Sequence, residues 1–249
     1  MSKNLIYTIA IDHDTSQFRN FDYSQYCINS WEAWCSKNDI DFLVIKDHET
    51  RYKFPVWNKH TIFERVGDKY DKIIYVDSDT MVKWDAPNPF ELYDDEYCGV
   101  VDRSSLRWIL NSIDAYKEFF PNTSFDIANY INAGVSFFSY KHKDFYDELI
   151  KFYTDNRDKL DSKKGVGKEQ TVLNFMLRKH NIKIKHIPPT WNLFSIHKKD
   201  MFKHNWQLNE DMTPFFIKYS YIWHFTGFGI EDRIKLMSQV WNQYKSYYA

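Results

Sequence analysis

The chain has 249 residues, 43% hydrophobic and 27% charged, enough for one α/β domain with a sizeable core. Its 33 Lys and Arg balance 34 Asp and Glu, a net charge of −1, which argues against a general nucleic-acid binder and against an acidic disordered chain. No run of about 18 apolar residues occurs, so no transmembrane segment is expected.

Leu5–Ile11 (LIYTIAI) reads as a buried first strand; no small-residue cleavage site follows it, so it is not expected to be a signal peptide. Tyr23–Lys37 predicts a helix, with Tyr26, Cys27, Ser30, Trp31 and Trp34 at helical spacing. Asp41–Ile45 is a second strand, and Trp57–Val66 a helix ending at Gly67. Lys72–Val76 (KIIYV) is a third strand, Tyr97–Val101 a fourth and Gly134–Tyr140 a fifth. A helix is expected over Gln170–Lys179. Ile182–Ile187 alternates as a half-exposed strand does, and Tyr221–Phe225 is a last short strand. Ile230–Tyr247 is an amphipathic tail helix. Strands alternating with helices imply one α/β domain with a mostly parallel sheet, in which ligands sit at the carboxyl ends of strands.

Three cysteines (Cys27, Cys35, Cys98) without a CxxC pair fit a reducing compartment, and a cytoplasmic location is expected. Asn122-Thr123-Ser124 matches a glycosylation sequon and reads as a turn. Only seven glycines occur, and five of them fall at Gly134, Gly165, Gly167, Gly227 and Gly229, where backbone turns or approaches a ligand. Aromatic residues reach 19%; most belong to the core, but Trp and Tyr also suit sugar faces.

The residues after the strands carry the chemistry. Asp77-Ser78-Asp79 follows the third strand, and two carboxylates two apart in extended chain project to one side. Together they can hold a hard divalent cation. Two other D-x-D triplets occur, at Asp12/Asp14 and Asp39/Asp41, so the triplet alone decides nothing; the buried strand before Asp77 does. His224 beside apolar residues fits a core histidine, but Gly227 and Gly229 after it allow backbone to approach a phosphate. Asn132-Ala133-Gly134-Val135 is either a turn or an Asn aimed at a ligand hydroxyl. Gly167-Lys168-Glu169-Gln170 opens a helix, where Glu169 either caps the helix or binds sugar hydroxyls; its spacing excludes a Walker loop.

Taken in order, YVDSDTMV (75–82), NAGVSFF (132–138), EQTVLN (169–174), PPTWN (188–192) and HFTG (224–227) resemble the nucleotide-sugar glycosyltransferases of the GT-A fold, and most closely glycosyltransferase family 8, the glycogenin-like retaining enzymes. The resemblance implies Asp77, Asp79 and His224 as ligands of Mn²⁺ or Mg²⁺. It places Ala10, Ile11 and Asp12 at the nucleoside, and Lys59, Asp77, Ser78, Gly134 and Gly227 around the donor. It implies Asn132, Glu169 and Gln170 as the groups beside the reacting sugar. Two departures stand out. The family has Asp where this chain has Glu169. After HFxG it continues to a Lys-Pro-Trp whose Lys binds the diphosphate; Ile230 takes the Lys position here, with Arg233 or Lys235 as candidate replacements.

The implied activity is metal-dependent transfer of a hexose, glucose or galactose, from a UDP-sugar with retention. Residues 1–102 would form the nucleotide-binding half, 103–229 the donor-sugar and acceptor half, and 230–249 the C-terminal helix. The acceptor is a saccharide, a lipid-linked molecule or a protein, with contacts sought in 103–131 and 194–216. The tail helix packs on the core, pairs two copies as a homodimer or touches a membrane, and its mildly positive charge favours the first two. Two rivals are weighed. A haloacid-dehalogenase-like phosphatase would use Asp12 and Asp14, with Gly67-Asp68 and Asp71 as its later acidic motif. A non-catalytic carbohydrate-binding protein would use the nine Trp and 18 Tyr.

Overall fold

The computed structural model describes residues 3–12, 22–194, 196 and 213–249. Six strands form the main sheet: β1 (Asn4–Ile9), β2 (Asp41–Ile45), β3 (Lys72–Val76), β5 (Tyr97–Val101), β6 (Ile131–Ser139) and β7 (Ile184–His186), in the order β2-β1-β3-β6-β5-β7. β4 (Thr80–Val82) and β8 (Ile222–His224) form a separate antiparallel pair.

The central strands are apolar on both faces because helices cover both. On β3, Ile74 and Val76 enter one core and Ile73 and Tyr75 the other, as the period of two requires. The first core is closed by α1 (Ser24–Lys37), through Cys27, Trp31 and Trp34, and by the C-terminal helix Ile230–Tyr244, through Met237, Val240 and Tyr244. The second is closed by α4 (Lys143–Ser162) and α5 (Glu169–Lys179), through Phe145, Leu149, Val172 and Phe175 among others.

β6 alone runs against the others, antiparallel to both β3 and β5. That reversal sets the start of β6 beside the end of β3: Val76 faces Val135, and the Asp77 N–H donates to the Gly134 carbonyl at 2.7 Å. The mostly parallel α/β sheet expected from the sequence is present.

Several boundaries differ from expectation. The helix expected over Trp57–Val66 is a 3₁₀ stretch, Pro55–Thr61, followed by α2 (Ile62–Val66), which Gly67 ends at φ +59°. The fifth expected strand begins at Ile131, three residues before Gly134, so Asn132 and Ala133 belong to the ladder rather than to a turn. The strand expected over Ile182–Ile187 shrinks to Ile184–His186. Two helices, α3 (Leu106–Tyr116) and α4, occupy connections to which the sequence reading assigned none. The tail helix stops at Tyr244 and continues as a 3₁₀ turn, Lys245–Tyr248. It packs on the core, where Trp84 stacks on Tyr244 and Tyr247 with centroids 5.3 and 4.6 Å apart.

All three cysteines are buried and free, and burial pushes the thiols of Cys27 and Cys98 up to about 12. No helix among the described residues is long and apolar enough to cross a membrane.

Candidate active site

The loop after β3 carries Asp77, Ser78 and Asp79, and β4 begins at once with Thr80. Thr80 pairs with His224 of β8, and the Phe225 N–H donates to the Asp79 carbonyl at 2.9 Å. This second small sheet therefore delivers His224 to the two carboxylates. Its Nε2 lies 3.1 Å from Asp79 Oδ1 and 3.6 Å from Asp77 Oδ2. One ligand atom from each of the three residues lies within 4.8 Å of the others, a donor set of two hard oxygens and an imidazole that suits a divalent cation.

Gly134 lets this happen. A Cβ there would lie 2.6 Å from Asp77 Oδ2 and 3.0 Å from Asn132 Oδ1, and closer still to the His224 ring. Its use is close approach, not a left-handed backbone; Gly227, at φ +82°, is the one of the pair after His224 that needs such a backbone.

Charge surrounds the cluster. Burial disfavours a charged Asp79, but His224 and the Arg233 guanidinium outweigh it and hold the carboxyl at about 2. The same burial raises the Asp77 carboxyl against the pull of Lys59 and His224. His224 is raised because Asp79 and Asp77 together overcome its desolvation. The Arg233 Nη1 lies 3.4 Å from Asp79 Oδ2, its Nε donates to the Phe225 carbonyl at 3.0 Å, and the guanidinium stands over the Tyr23 ring. Lys235, two residues on, is exposed and forms no ion pair among the described residues. The geometry thus brings Arg233, not Lys235, to the cluster.

Lys59 is buried beneath the site. Its Nζ meets Glu169 Oε1 at 2.6 Å and Asp77 Oδ1 at 4.0 Å, and donates to the Ala133 carbonyl at 3.3 Å. The Tyr75 hydroxyl reaches Asp77 Oδ1 at 2.5 Å, so Asp77 is held from below on the side facing Lys59. Glu169 and Gln170 open α5, as the sequence placed them. Gln170 Oε1 accepts from the Ala133 N–H at 3.0 Å, and its Nε2 donates to Asp102 Oδ2 at 3.2 Å.

Asp102 is the residue the sequence reading missed. It follows β5, it is buried, and it accepts from Gln170, from Asn132 Nδ2 at 3.4 Å and from both the backbone N–H and the hydroxyl of Ser104. The rule that singled out Asp77, an acid at the carboxyl end of a buried strand, applies equally to Asp102.

Beside the cluster opens a cleft of about 220 Å³, lined by Ile9, Ile11, Tyr23, Ser78, Thr226 and Arg233 among others. Ala10 is half-buried, its N–H donating to the Ile45 carbonyl, and Asp12 is exposed. Larger clefts of about 480 Å³ along β2 and about 700 Å³ beside Asn122 and Arg178 contain no such cluster of ligating groups among the described residues. Asp14 and residues 197–212 lie outside the described residues.

A model of glycosyl transferase family 8 matches residues 10–228, nearly the whole chain. The chain belongs to glycosyltransferase family 8. Solved structures agree on the fold. A glycosyltransferase involved in glycosylation of the major capsid of PBCV-1 is similar over 95% of this chain and 99% of its own, with TM-score 0.59 and 14% identity. The bifunctional glycosyltransferase WbbM is similar over 95% of this chain and 49% of its own, with TM-score 0.58 and 17% identity. An active-site mutant of LgtC is similar over 95% of both chains, with TM-score 0.52 and 13% identity. No curated protein matches the sequence. As a family 8 glycosyltransferase, the protein is an enzyme, and neither the phosphatase nor the non-catalytic sugar-binding reading gains support. The family match ends at residue 228, before Arg233.

Proposed function

We propose that this family 8 glycosyltransferase moves a hexose, glucose or galactose, from a UDP-sugar to a saccharide, lipid-linked or protein acceptor, with a divalent cation and with retention of anomeric configuration. The observation that carries the reading is the convergence of Asp77, Asp79 and His224 on one point beside a cleft at the strand ends. When bound there, Mn²⁺ or Mg²⁺ supplies Lewis acidity that offsets the charge gained by the leaving diphosphate.

The chain's own groups divide the remaining work. Asp77, Asp79 and His224 hold the ion. Arg233 stands where it can pair with a diphosphate oxygen, in the role the family gives to the missing Lys, and Lys59 adds positive charge from below. Ile11, which lines the cleft, is assigned to the nucleoside together with its chain neighbours Ala10 and Asp12, and Ser78, Gly134 and Gly227 are assigned to the donor. Glu169 spends Oε1 on Lys59, and no hydrogen bond to Oε2 is formed among the described residues, so that oxygen is the carboxylate atom free to face the sugar. Asn132 keeps one amide N–H for a sugar hydroxyl after its bond to Asp102, and Gln170 sets its amide beside it. In this reading residues 1–102 bind the nucleotide, 103–229 bind the donor sugar and acceptor, and 230–249 close the core beneath. The test is metal-dependent release of nucleotide by the wild type, and its loss in Asp79→Ala.

A further inference from the structure

His224 uses only one ring nitrogen toward the carboxylates. Its Nδ1 lies 2.8 Å from Asn192 Oδ1, within the PPTWN segment to which no role has yet been given. Asn192 is fully buried, and its Nδ2 donates to Asn132 Oδ1 at 2.9 Å. Asn132 Oδ1 also accepts from the Gly134 N–H at 2.9 Å, while Asn132 Nδ2 donates to Asp102.

An amide can be turned over, and a chain of amides is ambiguous unless something fixes its ends. Here both ends are fixed. The Gly134 N–H can only donate and the Asp102 carboxylate can only accept, so Asn132 has one orientation: oxygen to Gly134, nitrogen to Asp102. That oxygen can only accept, so Asn192 must present its NH₂ to Asn132 and its oxygen to His224. An oxygen at 2.8 Å from Nδ1 then requires a proton on Nδ1. Nε2 is then the nitrogen that meets Asp77 and Asp79: without an ion it can donate to Asp79 Oδ1 at 3.1 Å, and with an ion it offers its lone pair. All four side chains are buried, so water does not compete for these bonds.

We propose that Asn192 is a positioning residue that holds His224 with its proton on Nδ1 and its Nε2 presented to the metal, its own orientation being set through Asn132 by Asp102 and the Gly134 N–H. The inference rests on the metal-site reading only for its consequence; the Nδ1–H hydrogen bond to Asn192 is already made in the metal-free protein. Second-shell partners of metal-binding histidines act this way, and their loss typically costs on the order of 10- to 100-fold in metal affinity.

The experiment pairs two readouts on purified protein. ¹⁵N-histidine NMR with saturating Mg²⁺, which is diamagnetic, reports which ring nitrogen carries the proton and whether that proton is hydrogen-bonded, with His224 assigned by comparison with His224→Gln. The Mn²⁺ affinity, read by electron paramagnetic resonance of free Mn²⁺, reports the consequence. The proposal expects in the wild type an Nδ1–H that is shifted downfield and protected from exchange, with Nε2 unprotonated. Asn192→Leu, of similar volume but without an acceptor, should lose that downfield shift and protection and bind Mn²⁺ roughly 10- to 100-fold more weakly. Asn192→Ser, whose hydroxyl can both accept from Nδ1–H and donate to Asn132, should recover part of both. An Nε2–H form in the Mg²⁺-loaded wild type overturns the proposal, as does an Asn192→Leu protein with an unchanged Nδ1–H signal. If the metal-free wild type shows the protected Nδ1–H yet binds neither ion, the metal reading falls and the hydrogen-bond assignment stands. Should Asn192→Leu fail to fold, the wild-type spectrum still decides: an Nδ1–H that exchanges freely contradicts the relay.

Discussion

Lys59 and Glu169, 110 residues apart in the chain, form a buried ion pair with Nζ and Oε1 2.6 Å apart. The pair joins the helix region before β3 to the start of α5 and so ties the two halves of the site together. Burial opposes the charge on Lys59, but Glu169 and then Asp77 more than compensate and raise it above the ordinary lysine value.

Removing Lys59 leaves Glu169 buried without its cation, and removing Glu169 leaves Lys59 buried with Asp77, at 4.0 Å, as its nearest carboxylate. Lys59→Met and Glu169→Gln should each destabilise the protein, by about 3–5 kcal/mol where no water enters. The double variant should lose clearly less than the sum. Denaturant unfolding of all three variants checks this, and additive losses would mean that the pair does not act as a unit.

The metal cluster predicts opposite pH behaviour with and without the ion. The folded His224 is raised above its ordinary value near 6.5. Its pairing with Asp79 therefore stabilises the metal-free protein fully below that ordinary value, and this contribution is lost as pH rises through the raised one. Asp79 is held at about 2, so its share is present above the usual carboxylate range and lost only as pH falls toward 2. A divalent ion needs the deprotonated ring, so its stabilisation grows where that of the pair fades. Thermal unfolding from about pH 6 to about pH 8.5 should show a falling Tm without metal and a growing Mn²⁺-induced shift. A shift that does not depend on pH would speak against His224 as a ligand.

Gly134→Ala places a methyl group 2.6 Å from Asp77 Oδ2, next to the His224 ring. The carboxylate or the imidazole must move. The expected result is a fall in turnover on the order of 10²-fold, since displacement of about 1 Å suffices for that. The Mn²⁺-induced Tm shift should fall with it. Unchanged turnover would show that the close approach at Gly134 has no part in the chemistry.

Arg233 touches Asp79, and Lys235 points to solvent. Arg233→Ala should weaken UDP binding roughly 10- to 100-fold in the presence of Mn²⁺, the value of a charge-assisted hydrogen bond. Lys235→Ala should leave it within about twofold, as expected for an exposed charge. Calorimetric titration of both variants distinguishes them, and the reverse order would transfer the diphosphate role to Lys235.

Much of this arrangement was legible in local sequence. KIIYV followed by two acids is a strand delivering carboxylates to its end, and Glu169-Gln170 opens a helix as expected. What local sequence could not show was the pairing of three-residue strands: β4 and β8 are too short for a periodic signal, yet their register alone brings His224 to Asp77 and Asp79. Nor could it show that β6 runs backwards, which decides between the turn and the site reading of Asn132 by setting it at the centre of a hydrogen-bond network. Asp102 was within reach, because it follows the recognised strand Tyr97–Val101. Its partners Asn132 and Gln170 lie 30 and 68 residues away, and only the fold makes them neighbours.

The most direct test incubates the purified protein with a panel of nucleotide sugars, with Mn²⁺ and with EDTA, and measures the nucleotide released, alongside Asp79→Ala. The account predicts Mn²⁺-dependent release of UDP from one hexose donor, abolished by EDTA and absent in a folded Asp79→Ala protein. Release that persists in EDTA or in Asp79→Ala would contradict the Asp77–Asp79–His224 metal site.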